Sequence, residues 1–157
     1  MTEADLDFLT EMQGHPEVME HYPKPLDRAE ARDWLARVLA GYARAGHGFW
    51  VAELRETAEP VGQIGLLAKD INGRPEVEVA YMLARSFWGR GLATEAARAC
   101  RDHAIDTMGV PRVVSMIRPL NQRSLRVAAN LGMKPIGHTT HLGLHHDMYA
   151  YGGAPCA

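Results

Sequence analysis

Two cysteines, Cys100 and Cys156, are all that the 157 residues contain. They stand in no paired or zinc-ligand spacing, which excludes a disulfide-stapled scaffold and suits a reducing compartment. An excess of charge is also lacking. Seventeen Lys and Arg face nineteen Asp and Glu, for a net charge of -2, so no basic field calls for nucleic acid or an anionic membrane. No apolar run approaches the roughly 20 residues that span a bilayer. The opening MTEADLDFLTEM is acidic and has no basic n-region, so no secretory signal is expected and the cytoplasm is the default. Internal repeats, low-complexity tracts and linkers are missing. So is the Gly-Lys-Ser/Thr ending of a P-loop.

What is present reads as one domain over residues 1–157, long enough to bury roughly 70% of its unfolded surface. Thr2-Glu3-Ala4-Asp5 resembles a capping box opening a short helix, with Leu6, Leu9 and Met12 inward. His15-Pro16 and Pro23-Lys24-Pro25 punctuate a loop. Asp27 and Glu30 start a second helix, whose apolar positions Ala31, Trp34, Leu35, Val38, Leu39 and Tyr42 step by three and four until Gly46 and Gly48. Strands are expected at 49–54 and 60–67, pairing as a hairpin. Asn72-Gly73 signals a tight turn into a strand at 76–84. There Val77, Val79, Tyr81 and Leu83 share one face, and Glu76, Glu78, Ala80 and Met82 the other. A helix at 92–108, a β-branched strand at 112–117, a helix at 122–131 and two pairing strands at 134–140 and 145–151 complete the chain. This order predicts a mixed α/β (α+β) domain rather than a doubly wound sheet.

The stretch Trp88-Gly89-Arg90-Gly91-Leu92-Ala93-Thr94 joins a strand to a helix. Glycines let backbone N–H groups approach a ligand with no Cβ in the way. The first helical turn adds orphan N–H groups and a partial positive charge, which together suit a phosphate or diphosphate. Arg90 adds a fixed cation that can pair with phosphate oxygens. By spacing alone, a glycine-rich connection with no ligand fits equally well. A dinucleotide fingerprint is disfavoured: Thr94 stands where its last Gly or Ala belongs, and the preceding strand carries Glu78.

Four segments in register carry a resemblance. They are Val61-Gly62-Gln63-Ile64-Gly65-Leu66, Glu78-Val79-Ala80-Tyr81-Met82-Leu83, Trp88 through Ala96, and Asn121-Gln122-Arg123-Ser124-Leu125-Arg126-Val127 with Leu131-Gly132-Met133. Over nearly its whole length the chain resembles the GNAT superfamily of acyl-CoA-dependent N-acetyltransferases, and within it the branch that acetylates ribosomal-protein N-termini. The resemblance implies a GNAT fold and acetyl-CoA as co-substrate, with no metal. It implies that the diphosphate rests on the amides of Gly89, Arg90, Gly91, Leu92, Ala93 and Thr94, beside Trp88. The pantetheine would run along Tyr81, Met82 and Leu83 like an added strand, with Asn121 hydrogen-bonding its amides. Glu78 becomes the candidate general base, through water. Ser124 becomes the partner of the leaving thiolate, because the tyrosine used by many relatives one turn later is Ala128 here. A backbone N–H near Met82 is the candidate oxyanion donor.

The acceptor implied is a primary amine, on a protein N-terminus or a small molecule, handled by a monomer or homodimer. An α-amine titrates near 8 and a lysine near 10.4, so neutralising lysine at pH 7 costs roughly 3 kcal/mol more. An N-terminal amine therefore asks less of a distant base. The alternative is a non-catalytic CoA-binding or sensory module. Three departures keep it open. Relatives usually begin with a strand of the form Arg-Leu-x-Leu-Arg, whereas this chain starts at about the first helix, which would leave a neighbouring strand edge open. The acid tyrosine is absent. Asn130 stands where relatives often carry Lys or Arg, which weakens expected contacts with the adenosine 3′-phosphate.

His138, His141, His145 and His146 fit no standard zinc spacing and read as surface or acceptor-pocket histidines. Trp34 and Tyr42 read as core, and Cys100 as a buried small apolar residue.

Overall fold

Asp27 caps the longest helix of the computed structural model, which describes residues 1–153. Its carboxylate accepts from the Glu30 N–H at 2.9 Å, while Glu30 accepts from the Asp27 N–H at 3.0 Å. These reciprocal bonds satisfy orphan donors and start helix α2, Arg28–Ala45. Ala31 and Leu35 are fully buried along it, and Gly46, at φ +72°, ends it. Helix α1, Leu6–Gly14, precedes it behind a 3-10 turn, Glu3–Asp5, in which the Asp5 carboxylate accepts from the Thr2 N–H at 2.6 Å. Leu6, Leu9 and Met12 point inward as expected.

Six strands form one sheet: β1 (Phe49–Glu53), β2 (Pro60–Ile71), β3 (Arg74–Leu83), β4 (Arg112–Ile117), β5 (Lys134–His141) and β6 (Leu144–Gly152). Their order is β1-β2-β3-β4-β6-β5. Every neighbouring pair is antiparallel except β3 with β4. Asn72 and Gly73, at φ +55° and +75°, make the predicted two-residue turn between β2 and β3. Leu142 and Gly143 make a similar left-handed pair between β5 and β6, without the Asn-Gly signal.

Helix α3 runs Leu92–Asp102 and α4 runs Gln122–Asn130. The expected helix to residue 108 changes character after Asp102. His103–Thr107 form a wider turn, in which the Met108 N–H donates to the His103 carbonyl at 3.0 Å. That turn keeps Ala104, Ile105 and Met108 against the core before Gly109, at φ +69°, closes it.

Helices cover both faces of the sheet. Val79 joins Leu66, Val113 and Ile117 in a core with Ala97 of α3 and Ala128 of α4. Met82 packs with Leu9, Met12 and Leu35 of α1 and α2. The alternation of β3 thus sends Val77, Val79 and Tyr81 to the α3/α4 side and leaves Glu78 and Met82 on the other. Cys100 is half-buried against the α3 side; burial pushes its thiol up to about 11. Cys156 lies outside the described residues.

Two glycines of β2 are required by contact rather than by backbone angle. A Cβ on Gly62 would lie 2.3 Å from the Met82 carbonyl oxygen, and one on Gly65 would lie 2.5 Å from that of Gly48. Gly62→Ala is therefore expected to lower stability by about 1–3 kcal/mol in denaturant unfolding. Gly41, inside α2, has no such neighbour within 4 Å, and Gly41→Ala is expected to raise stability by about 0.5–1 kcal/mol in the same measurement.

Candidate active site

Strands β3 and β4 are in register at a single pair, Glu78 with Val114. Past that pair they part. The Ser115 hydroxyl donates to the Val79 carbonyl at 2.7 Å, at the point of divergence. Tyr81, Met82 and Leu83 therefore run along an opening that β4 no longer fills.

Two cavities meet there. One, of about 450 Å³, lies beside the glycine stretch and is lined by Leu83, Trp88, Gly89, Gly91, Leu92 and Ala93. Thr94 completes that wall. The other, of about 390 Å³, holds Glu78 and Lys69. Tyr81, Met82, Asn121 and Ser124 belong to both, as do His21 and Tyr22 of the loop between α1 and α2.

The first cavity has the features of an anion cradle. Gly89 and Gly91 adopt φ +77° and +80°, and no atom lies within 4 Å of a Cβ at either. Helix α3 starts behind Gly91 with no side-chain cap, so its first-turn N–H groups stay available. Trp88 is held rigid: its indole N–H donates to the Leu83 carbonyl at 2.9 Å, and the Arg123 guanidinium lies 4.0 Å from its ring centre. Ser124 is fixed twice. Its N–H donates at 3.0 Å to the side-chain oxygen of Asn121, the cap of α4, and its carbonyl accepts from the Tyr81 hydroxyl at 3.1 Å. The cap occupies the Asn121 oxygen and leaves its NH₂ group as the donor for a ligand.

The side chain of Arg90 departs from the expected role. Its guanidinium lies 5.3 Å from the Phe87 ring centre, and the residue is not part of the cavity wall. The unforeseen cation is Arg126, which lines the cavity together with Asn130, one helical turn on. Uncapped amides, Cβ-free glycines, an open strand margin and Arg126 can together hold coenzyme A.

Glu78 is 7% exposed. Burial pushes its carboxyl above the ordinary carboxylate range, against the opposing pull of Lys69, whose Nζ is 3.7 Å away, and of the Met116 N–H. Glu76, two residues earlier on the same face, has a different fate. Arg112 grips both its oxygens, with the Nε bond at 3.0 Å, so Glu76 is a structural ion pair.

His141 and His146 line the Glu78 cavity, their rings 5.9 Å apart edge to face. His138 and His145 face each other on the same hairpin at 5.5 Å. Among the described residues, no three His, Cys, Asp or Glu side chains gather as a metal site. Trp34 packs against the core shared by α1 and α2, as expected. It is half-buried and packs on Phe49, at 5.4 Å between ring centres, and both line the Glu78 cavity. Tyr42 is structural: its hydroxyl donates to the Phe49 carbonyl. Lys69 was also missed, although the Asn-Gly turn pairs it with Glu76 and so brings it diagonally to Glu78.

No helix among the described residues is long and apolar enough to cross a membrane. The Acetyltransferase (GNAT) domain family matches residues 1–134. Uncharacterized protein YkkB of Bacillus subtilis (strain 168) is 37% identical over 121 residues, 75% of this chain and 69% of that protein. Uncharacterized N-acetyltransferase p20 of Bacillus licheniformis is 28% identical over 140 residues, 85% of this chain and 75% of its own length. The crystal structure of an acetyltransferase from Agrobacterium tumefaciens str. C58 superposes with a TM-score of 0.83 at 28% identity, covering 98% of this chain and 88% of that one. The fold is also that of aminoglycoside acetyltransferase AAC(6')-Ib in complex with coenzyme A, with a TM-score of 0.81 at 22% identity, over 97% of this chain and 91% of that one. The family match spans most of the chain, and this chain belongs to the GNAT acetyltransferase family.

Proposed function

We propose that this chain transfers the acetyl group of acetyl-CoA to a primary amine, on a protein N-terminus or a small molecule, by direct attack. The carrying observation is that two cavities share the wall of Tyr81, Met82, Asn121 and Ser124, with Glu78 in one and the glycine cradle in the other. When bound, acetyl-CoA supplies a thioester carbonyl. Glu78 takes the proton of the incoming amine, directly or through water. Its raised proton affinity suits that work near neutral pH better than an ordinary carboxylate would. Lys69, 3.7 Å away, favours the ionised form of Glu78 and opposes the effect of burial. Ser124 stands at the shared wall, where its hydroxyl can hydrogen-bond the leaving thiolate. The proton that Glu78 takes from the amine balances the thiolate as free thiol. The Ser124 backbone, tied to Asn121 and Tyr81, holds that residue in place. Glu78 in its own cavity is superfluous to a purely CoA-binding module, which favours catalysis over that alternative.

Calorimetric titration with acetyl-CoA is expected to give micromolar binding by the wild type and none by Gly91→Asp, which sets a carboxylate at the cradle. No binding by folded wild-type protein overturns the reading.

Glu78→Gln is expected to keep acetyl-CoA binding and to lower kcat by about 100-fold or more. Because folding raises the Glu78 pKa, the stability it contributes is present below its unfolded value, near 4.3, and is lost as pH rises through the folded value. Glu78→Gln should therefore be more stable than wild type at about pH 8, with the gap closing by about pH 4. Unfolding curves across that range check the sign.

A further inference from the structure

The Glu78 cavity is basic. Lys24, Arg37, Lys69 and Arg118 line it, and Glu78 is the one carboxylate among the described lining residues. The three histidines of its wall do not change this balance. Burial shifts His21, His141 and His146 toward the neutral form.

Two of the four cations are compensated. Lys69 faces Glu78, and Lys24 pairs with Glu30 outside the cavity. Two are not. Arg118 donates to the His145 carbonyl at 2.6 Å rather than to an acid. Arg37 stands one turn beyond Trp34 on the exposed side of α2, and no ion pair links it to a described residue. An amine bound at Glu78 shares its cavity with these guanidinium groups. A polycation would meet like charges there, whereas a carboxylate or phosphate would meet guanidinium groups, whose planar forks bind either one through two hydrogen bonds.

We propose that the acceptor is an amine that also carries an anionic group, a carboxylate or a phosphate, received by Arg37 and Arg118. This rests on the acetyltransferase reading and narrows its substrate class: polyamines and aminoglycosides are disfavoured, and amino acids, acidic peptide N-termini and phosphorylated amines are favoured.

The experiment compares matched acceptors that differ in one charged group, by thiol release at saturating acetyl-CoA. Alanine is set against alaninamide, phosphoethanolamine against ethanolamine, each rate referred to the free-amine fraction of its acceptor, and spermidine and kanamycin serve as polycations. The expected result is a kcat/KM at least about tenfold higher for the anionic member of a pair, shrinking at about 0.5 M salt. Preference in the first pair identifies a carboxylate acceptor, and preference in the second a phosphate acceptor. Arg37→Glu should reduce the anionic-to-neutral ratio by about tenfold, since the charge is reversed rather than removed. Arg118→Gln should reduce it less. Equal use within both pairs, or better use of spermidine or kanamycin, overturns the proposal and leaves acetyl transfer standing. If no acceptor turns over, the same pairs are titrated by NMR into protein saturated with CoA. Binding of the anionic member alone supports the proposal, and indifferent or absent binding overturns it. Loss of the acetyl-CoA site, on which the acetyltransferase reading stands, is read separately from the acetyl-CoA titration.

Discussion

The divergence of β3 from β4 after one residue pair is the constraint on which the site depends. A parallel pair that continued in register would bury the backbone of Tyr81 to Leu83 in a ladder. Here Glu78 with Val114 is the last shared position, and the Ser115 hydroxyl takes up the Val79 carbonyl just beyond it. The result is an opening through the middle of the sheet. The glycine-led α3 and the Asn121-capped α4 flank it, and the loop carrying His21 and Tyr22 crosses it. Glu78 sits at the vertex of the divergence, which explains how one strand can line both cavities.

The same strand shows how environment assigns roles to like residues. Glu76 and Glu78 point the same way, and both are buried. Glu76 receives a two-pronged guanidinium and is locked as a carboxylate partner. Glu78 has a lysine at 3.7 Å and a desolvated surround. A buried acid held so loosely is poor structural material, because burial penalises its charged form. The same imbalance raises its proton affinity above that of an ordinary carboxylate.

Glycine serves two opposite needs in this fold. At Gly62 and Gly65 the chain has no room for a Cβ, because neighbouring backbone lies within 2.5 Å of where it would stand. At Gly89 and Gly91 space is free, and left-handed φ angles are what the turn requires. The first kind lets β1, β2 and β3 close together. The second aims the amides of α3 outward. Both kinds occur in the segments that carry the family resemblance.

By itself the sequence determined the elements and their order. Asp27 with Glu30 marked α2, Asn72-Gly73 marked the central hairpin, the alternation from Glu76 to Leu83 marked the faces of β3, and Gly89 through Thr94 marked the helix entry. Each of these signals is local: a cap, a turn or a period is complete within a few residues. Tertiary structure decided what no local pattern contains. It turned Arg90 onto Phe87 and brought Arg126 to the cavity in its place. It gave Trp34 a place on the cavity wall as well as against the core, and gave Glu76 and Glu78 different surroundings. It also gathered Lys24, Arg37, Lys69 and Arg118, from α2, β2 and two loops, around one carboxylate. The physical reason is that a cavity's charge and a carboxyl's proton affinity depend on which distant side chains face the group and how far water is excluded. Both arise from packing, not from spacing along the chain.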